Sequence, residues 1–201
     1  KDDKIIYLYT SNKDAQHMYV SKAQDSGYEV LVLDSPIVSH VIQKLESKLD
    51  KVSFVRVDAD IIDNLIKKED KIDSVLSEKD QKKLKPFFEK SLPKDGFTVS
   101  FDSLSPISPP IAITQSEFMR RMKEMSLTGG GPMMGMGNMP DSYNLVINSN
   151  HVLISKINEL KGKKRQLLIK QSINLALLSN NLLKGEDLTN YINSCFNELS
   201  S

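Results

Sequence analysis

The fold of the first part of the chain is decided by residues 27–58, which read GYEVLVLDSPIVSHVIQKLESKLDKVSFVRVD. The continuous apolar run at 30–33 is typical of a strand that is buried on both faces, as in a parallel sheet. Ser35 followed by Pro36 predicts the start of a helix, whose apolar residues recur at helical spacing. Residues 52–57 predict the next strand. This strand–helix–strand order is typical of a layered α/β sandwich with right-handed crossovers.

The pattern extends in both directions from this stretch. Residues 5–9 predict a further strand, and residues 12–26 predict a helix that ends near Gly27. We therefore predict a small three-layer α/β module with parallel βαβαβ order over residues 1–76. Residues 77–201 predict an α+β domain with short strands that ends in a pair of helices.

Composition excludes several classes of protein. The 201 residues carry 27 Lys and Arg against 26 Asp and Glu, a net charge of +1, which argues against a nucleic-acid partner. Apolar runs stay below the roughly 18 residues of a membrane span, so we expect no membrane partner. The single cysteine, Cys195, excludes zinc sites built from four cysteines and lies on an apolar helical stripe. We find no catalytic constellation, no phosphate-binding loop and no metal motif.

Methionines are concentrated in one segment: seven of the eight lie between Met119 and Met139. Residues 116–127 predict an amphipathic helix, and the glycine-rich residues 128–140 predict a flexible loop. The apolar positions of this helix are Phe118, Met119, Met122 and Met125. Three interpretations remain open: an exposed apolar surface that adapts to many partners, a helix docked on the core, and a Cu(I) site built from thioethers.

The two closing helices carry a second apolar signal. Residues 166–183 and 187–199 each have an apolar stripe, and a hairpin of two helices is too small to bury both stripes alone. The stripes either form a homodimer or pack within the chain. A small α/β enzyme is a further alternative, with a ligand at the strand ends near Thr10, Ser11, Asp34 and Ser35.

Several segments, in collinear order, resemble the heat-shock protein 90 family of chaperones and in particular its bacterial branch. They are GYEVLVLDSPI (27–37), VSFVRVD (52–58), LKPFFEKSL (84–92), SLSPISPPIAIT (103–114), NLVINSNHVLISKI (144–157) and SINLALLSNNLLKGEDLTNYINSCFNEL (172–199). The resemblance covers nearly the whole chain. It implies the end of a middle domain followed by the C-terminal dimerisation domain.

The resemblance also implies functional residues. A four-helix dimer interface between two copies falls on Leu168, Leu175, Leu178, Leu182, Ile192, Cys195, Phe196 and Leu199. Binding of non-native client proteins falls on Phe118, Met119, Met122 and Met125, with His40 and Gln43 as further candidates; many bacterial relatives have a tryptophan in place of His40. In this family ATP and Mg²⁺ belong to an N-terminal domain that has no counterpart here. The resemblance therefore implies that this chain is no enzyme, holds no cofactor and does not hydrolyse ATP. The expected location is the bacterial cytoplasm.

Overall fold

The computed structural model of the chain describes residues 4–61, 64, 72–93, 96–128 and 141–200. The chain divides into two units. The first unit comprises Lys1–Asp70 and Thr114–Asn144, and the second comprises Lys71–Ile113 and Leu145–Ser201. We predicted modules of residues 1–76 and 77–201; in the structure, the segment 114–144 groups with the first unit.

The first unit contains a parallel three-stranded sheet with helices between its strands. The elements are β1 (Ile5–Thr10), α1 (His17–Asp25), β2 (Leu31–Val32), α2 (Val38–Lys48) and β3 (Val52–Arg56). The strand order is β2-β1-β3, and β1 pairs in parallel with both neighbours. The mixed α/β content agrees with the predicted fold class, and the parallel βαβαβ order is present in this unit.

The two faces of this sheet are covered by different helices because successive side chains of β1 point in opposite directions. Leu8 packs with Val20 and Ala23 of α1. Tyr9, the next residue, packs with Ile42 of α2 and with Phe54. The result is a helix, a sheet and a second helix in three layers.

Two helix starts differ from the prediction. The first helix begins only at His17, because the Gln16 side chain accepts hydrogen bonds from the backbone N–H groups of Ser11 and Asn12 and holds this segment as a loop. The second helix begins at Val38 rather than directly after Ser35, whose carbonyl accepts a hydrogen bond from the Val38 N–H within a turn.

Eight further elements complete the described chain. They are α3 (Glu78–Ser91), β4 (Phe97–Asp102), β5 (Ile111–Gln115), α4 (Glu117–Leu127), β6 (Tyr143–Asn148), α5 (Val152–Glu159), α6 (Gly162–Ser179) and α7 (Gly185–Leu199). A second sheet has the strand order β4-β6-β5. None of the helices described here is long and apolar enough to cross a membrane.

The core of the second unit is built from fully buried aliphatic and aromatic side chains. They are Leu84, Phe88, Leu145, Ile147, Ile154, Ile157, Ile169 and Ile173. Arg165, at the start of α6, is also buried. Its guanidinium donates to the carbonyls of Ile157 and Asn158 at the end of α5, and it lies over the Phe87 ring. These contacts connect α5, α6 and α3.

Candidate functional site

Helix α4 faces the first unit with its charged side chains. Arg120 is only 5% exposed and is the one fully buried residue of the helix. Glu117 and Arg121 are 19% and 16% exposed at their side chains. A buried charge must be paired and hydrogen-bonded to be tolerated, and all three of these groups are.

Arg120 lies at the centre of this network. Its guanidinium donates to the Tyr9 hydroxyl at 2.5 Å, to Glu117 at 2.6 Å and to Glu124 at 2.5 Å. The Tyr9 hydroxyl in turn donates to Glu117 at 3.0 Å. Glu124 also accepts a hydrogen bond from the Ser39 hydroxyl on α2, which explains why this serine is buried.

Arg121 extends the network along the sheet. It donates to Glu117 at 2.6 Å, to Glu46 of α2 at 2.8 Å and to the Phe54 carbonyl of β3. Glu46 accepts a further bond from the Phe54 N–H at 2.7 Å. Arginine suits this position because its planar fork can serve several acceptors at once.

The network shifts the acidity of its members. Burial, and secondarily the Glu117 carboxylate, raises the pKa of Tyr9 to about 12. Burial by itself disfavours the Arg120 cation, but the neighbouring Glu117, Tyr9 and Glu124 raise the pKa of Arg120 above its usual value. The arginine is therefore charged and the tyrosine neutral at physiological pH, as this hydrogen-bond pattern requires.

The apolar residues of α4 are not buried beneath the helix. Phe118 is 68% exposed and Leu127 is 69% exposed. Met119, Met122 and Met125 are half-buried. The helix is therefore docked, which agrees with the interpretation of a helix packed on the core. It also leaves apolar surface open to solvent, which agrees with the interpretation of an exposed apolar surface.

Helix α2 brings two further predicted residues close to α4. The His40 ring Nε2 lies 2.6 Å from the Thr128 hydroxyl in a hydrogen bond, and His40 is half-buried. Gln43 is exposed. The neighbouring residues Ile37 and Val41 are exposed and line an apolar groove with Leu31 and other residues of β2 and α2. We predicted that the strand at 30–33 would be buried on both faces, and that was wrong, because Leu31 and Val32 are exposed. Of the apolar stripe predicted for the helix that follows, only Ile42 is fully buried.

The charged residues of α4 were missed by the sequence interpretation, which assigned them no role. A signal was present, because Glu117, Arg120, Arg121 and Glu124 recur at i, i+3, i+4 and i+7 and therefore share one helix face. Their partners on β1, α2 and β3 carry no comparable pattern. Only the folded chain brings them together.

The strand ends that would hold a ligand in the alternative α/β enzyme already use several of their hydrogen-bond donors within the chain. The Gln16 side-chain oxygen lies at the end of β1, where it accepts hydrogen bonds from the Thr10 hydroxyl and from two backbone N–H groups. A substrate anion would need these same donors. Asp34 and Ser35 are exposed.

The Cu(I) interpretation depends on methionine sulfur atoms, most of which lie outside the described residues. Within the described part of the chain, no group of three or more His, Cys, Asp or Glu side chains could hold a metal ion. Four of the seven clustered methionines fall within 129–140, outside the described residues. The predicted flexible loop over 128–140 falls there too, apart from Thr128.

The predicted dimer residues lie on α6, α7 and the turn between them. None of the eight is fully buried. Leu175, Leu178, Ile192, Phe196 and Leu199 are exposed, whereas Leu168, Leu182 and Cys195 are half-buried. Helix α6 instead buries Ile169, Ile173, Ala176 and Leu177. Each closing helix thus keeps apolar surface that the described chain does not bury.

Cys195 lies beside Tyr191, the one buried residue of α7. Burial, and secondarily a hydrogen bond with Cys195, raises the pKa of Tyr191 to about 12. The cysteine therefore contributes to packing along this helix.

Comparison with known proteins gives no matching family model but does give close relatives, all named chaperone protein HtpG. The relative from Porphyromonas gingivalis (strain ATCC 33277) is 44% identical over 170 residues, which cover 83% of this chain and 24% of that protein. Those from Bacteroides fragilis (strain 638R) and Bacteroides thetaiotaomicron are 35% identical over an alignment of 260 positions, gaps included. The alignment covers 96% of this chain and 38% of each protein. This chain therefore spans about a quarter to two-fifths of the length of the curated relatives it matches.

Proposed function

This chain belongs to the HtpG chaperones, the bacterial branch of the heat-shock protein 90 family, and we propose that it supplies the client-binding and dimerisation part of such a chaperone. Its own residues would act by binding, through apolar surface, and not by covalent chemistry. The proposed setting is the bacterial cytoplasm, and the proposed partners are non-native proteins and a second copy of the chain.

The client-binding surface comprises Phe118, Met119, Met122 and Met125 of α4. The observation that carries this proposal is the exposure of Phe118 on a helix whose charged face is docked. Methionine side chains are flexible and polarisable, so they fit apolar segments of differing shape. His40 and Gln43 on α2 extend the proposed surface, and the hydrogen bond between His40 and Thr128 supports their inclusion.

This assignment is tested with the double variant Met122→Ser and Met125→Ser. Binding to a fluorescently labelled, permanently unfolded protein should weaken by about tenfold, since each thioether side chain loses part of an apolar contact. Lys123→Ala is the matched control, because Lys123 lies on the same helix and pairs with Asp141 at its exposed edge. Unchanged client affinity in the double variant would reject the client-binding role of α4.

The dimer interface comprises the exposed apolar residues of α6 and α7. Burying several such side chains stabilises an interface by roughly 1.5–3 kcal/mol each, which can exceed the roughly 4–15 kcal/mol that association costs. The exposure of Leu175, Leu178 and Phe196 supports this proposal.

The dimer is tested by sedimentation across micromolar concentrations. We expect a mass near twice 22.6 kDa for the unmodified chain and a monomer for Leu178→Asp. Ser179→Asp is the control, because it adds the same charge one residue further along the same helix. A monomer at all concentrations in the unmodified chain would overturn the assignment.

Dimerisation and client binding support each other physically. Two client surfaces held in one assembly raise the effective concentration of the second surface once the first has bound. Weak apolar contacts on each α4 then give useful affinity for a long unfolded chain. A client with a single apolar segment should gain little from the dimer.

A further inference from the structure

We infer that α4 is held on the first unit mainly by charge rather than by apolar burial. Arg120 is the positioning residue that keeps Phe118 exposed and leaves the methionines only half-buried. This inference concerns how the surface is presented, and its relevance to clients rests on the proposed function. The docking itself can be tested without any client.

The first step is the distribution of burial on the helix. Arg120 is its one fully buried residue, whereas Phe118 and Leu127 are among its most exposed. An amphipathic helix on a soluble protein normally buries its apolar side and exposes its charged side. Rotating α4 to bury its apolar side would withdraw Arg120 from Tyr9 and Glu117.

The second step is the number of elements that Arg120 and its neighbours reach. Through Arg120, α4 is bonded to Tyr9 on β1; through Glu124, to Ser39 on α2. Through Arg121 it is bonded to the Phe54 carbonyl on β3. Three attachments to different elements fix both the position and the rotation of the helix.

The third step is that the network is incomplete. The Nε of Arg120 is buried and has no hydrogen-bond partner among the residues described. A buried polar group without a partner weakens the state that buries it. Ion pairs that are partly buried also repay little beyond the cost of their desolvation. Docking of α4 is thus specific in geometry but modest in strength, so the helix should open locally before the unit unfolds.

Hydrogen exchange on the full chain tests this inference. Arg120→Gln should speed exchange of the amides of α4 at least tenfold, while those of α1 change less than twofold. Arg120→Lys should restore part of the protection because it keeps the charge but lacks the fork. Lys123→Ala and Met122→Ser are the controls on the same helix, and each should change exchange less than twofold.

Two outcomes would overturn the inference: Met122→Ser loosening α4 as much as Arg120→Gln does, or Arg120→Gln having no greater effect than Lys123→Ala. If Arg120→Gln does not fold, the salt dependence of hydrogen exchange in the unmodified chain provides the test. Raising NaCl from 0.05 to 1 M should speed exchange in α4 severalfold relative to α6, and equal responses would reject docking by charge. Failure of the client-binding proposal would appear separately, as unchanged client affinity of the methionine variants with exchange as expected.

Discussion

Helices α4 and α6 are docked by opposite kinds of contact, one charged and one apolar. Both must lie on a folded unit and both leave apolar side chains exposed. Helix α6 docks through Ile169, Ile173 and Leu177, so its packing is apolar. Helix α4 docks through Glu117, Arg120 and Arg121.

The difference shows that an exposed apolar face has two possible origins. On α6 one apolar stripe is already buried within the unit. The exposed leucines lie on another side of the helix, which is therefore apolar on more than one side. On α4, Phe118 is exposed and the methionines are half-buried, because charged residues occupy the buried side. The first arrangement suits a permanent interface, and the second suits a surface that must contact changing partners.

The largest expected effect tests the apolar docking of α6. Ile173→Ala removes a fully buried side chain and leaves a cavity, so the free energy of unfolding should fall by about 3 kcal/mol. Urea unfolding monitored by circular dichroism measures this loss. Lys170→Ala, exposed on the same helix, should lie within about 0.5 kcal/mol of the unmodified chain. A small loss for Ile173→Ala would mean that α6 is not held by its aliphatic stripe.

The polar docking of α4 is tested next with Tyr9→Phe. The change removes the hydroxyl that accepts from Arg120 and donates to Glu117, and hydrogen bonds to charged groups contribute about 1.5–3 kcal/mol. We expect a loss of about 2 kcal/mol in the same urea assay. Tyr7→Phe is the matched control on the same strand, because Tyr7 is 41% exposed. Equal effects of the two substitutions would break the contrast between α4 and α6.

Mild acid should destabilise the second unit through a histidine that caps a helix next to α6. His151 caps α5, with its Nδ1 accepting from the Leu153 N–H at 3.0 Å, and burial lowers the pKa of His151 below its usual 6.5. The unfolded chain therefore takes up the proton first as pH falls, and the stability from the neutral cap, present above about pH 6.5, is lost below it. We therefore expect the free energy of unfolding to fall between pH 7.5 and 5.5.

The measurement for this prediction is urea unfolding at both pH values beside His151→Asn. Asparagine caps helices without titrating in this range, so the free energy of unfolding of this variant should fall less between the two pH values than that of the unmodified chain. Identical pH responses would remove His151 as the cause.

The smallest effects are expected on the outer faces, where the two helices are alike. Phe118→Ser on α4 and Leu175→Ser on α6 replace side chains that are 68% and 57% exposed. Each should change the free energy of unfolding of the monomer by less than about 0.5 kcal/mol. A larger loss for either, measured by urea unfolding at low protein concentration, would mean that the side chain is buried in the monomer in solution.

Much of the fold was predictable because its signals are local. The parallel strands over 5–10 and 52–56 and the helix over 117–127 follow from side-chain spacing, and all are present in the structure. The late start of α1 was not predictable, because a single Gln16 side chain competes with the helix for backbone donors. The candidate residues of α4 were predictable as a set, but their exposure was not.

Local sequence patterns were enough to predict the amphipathic methionine helix, the α/β module before it and the two apolar helices at the end of the chain. These features depend on the 3.6-residue and two-residue periods of the backbone, which any window of residues carries. The side of each helix that is buried, in contrast, follows from tertiary contacts alone. That choice depends on partners distant in sequence, such as Tyr9 for Arg120 at a separation of 111 residues. A charged face can be buried when such partners satisfy it, and on α4 this leaves Phe118 exposed and the methionines half-buried.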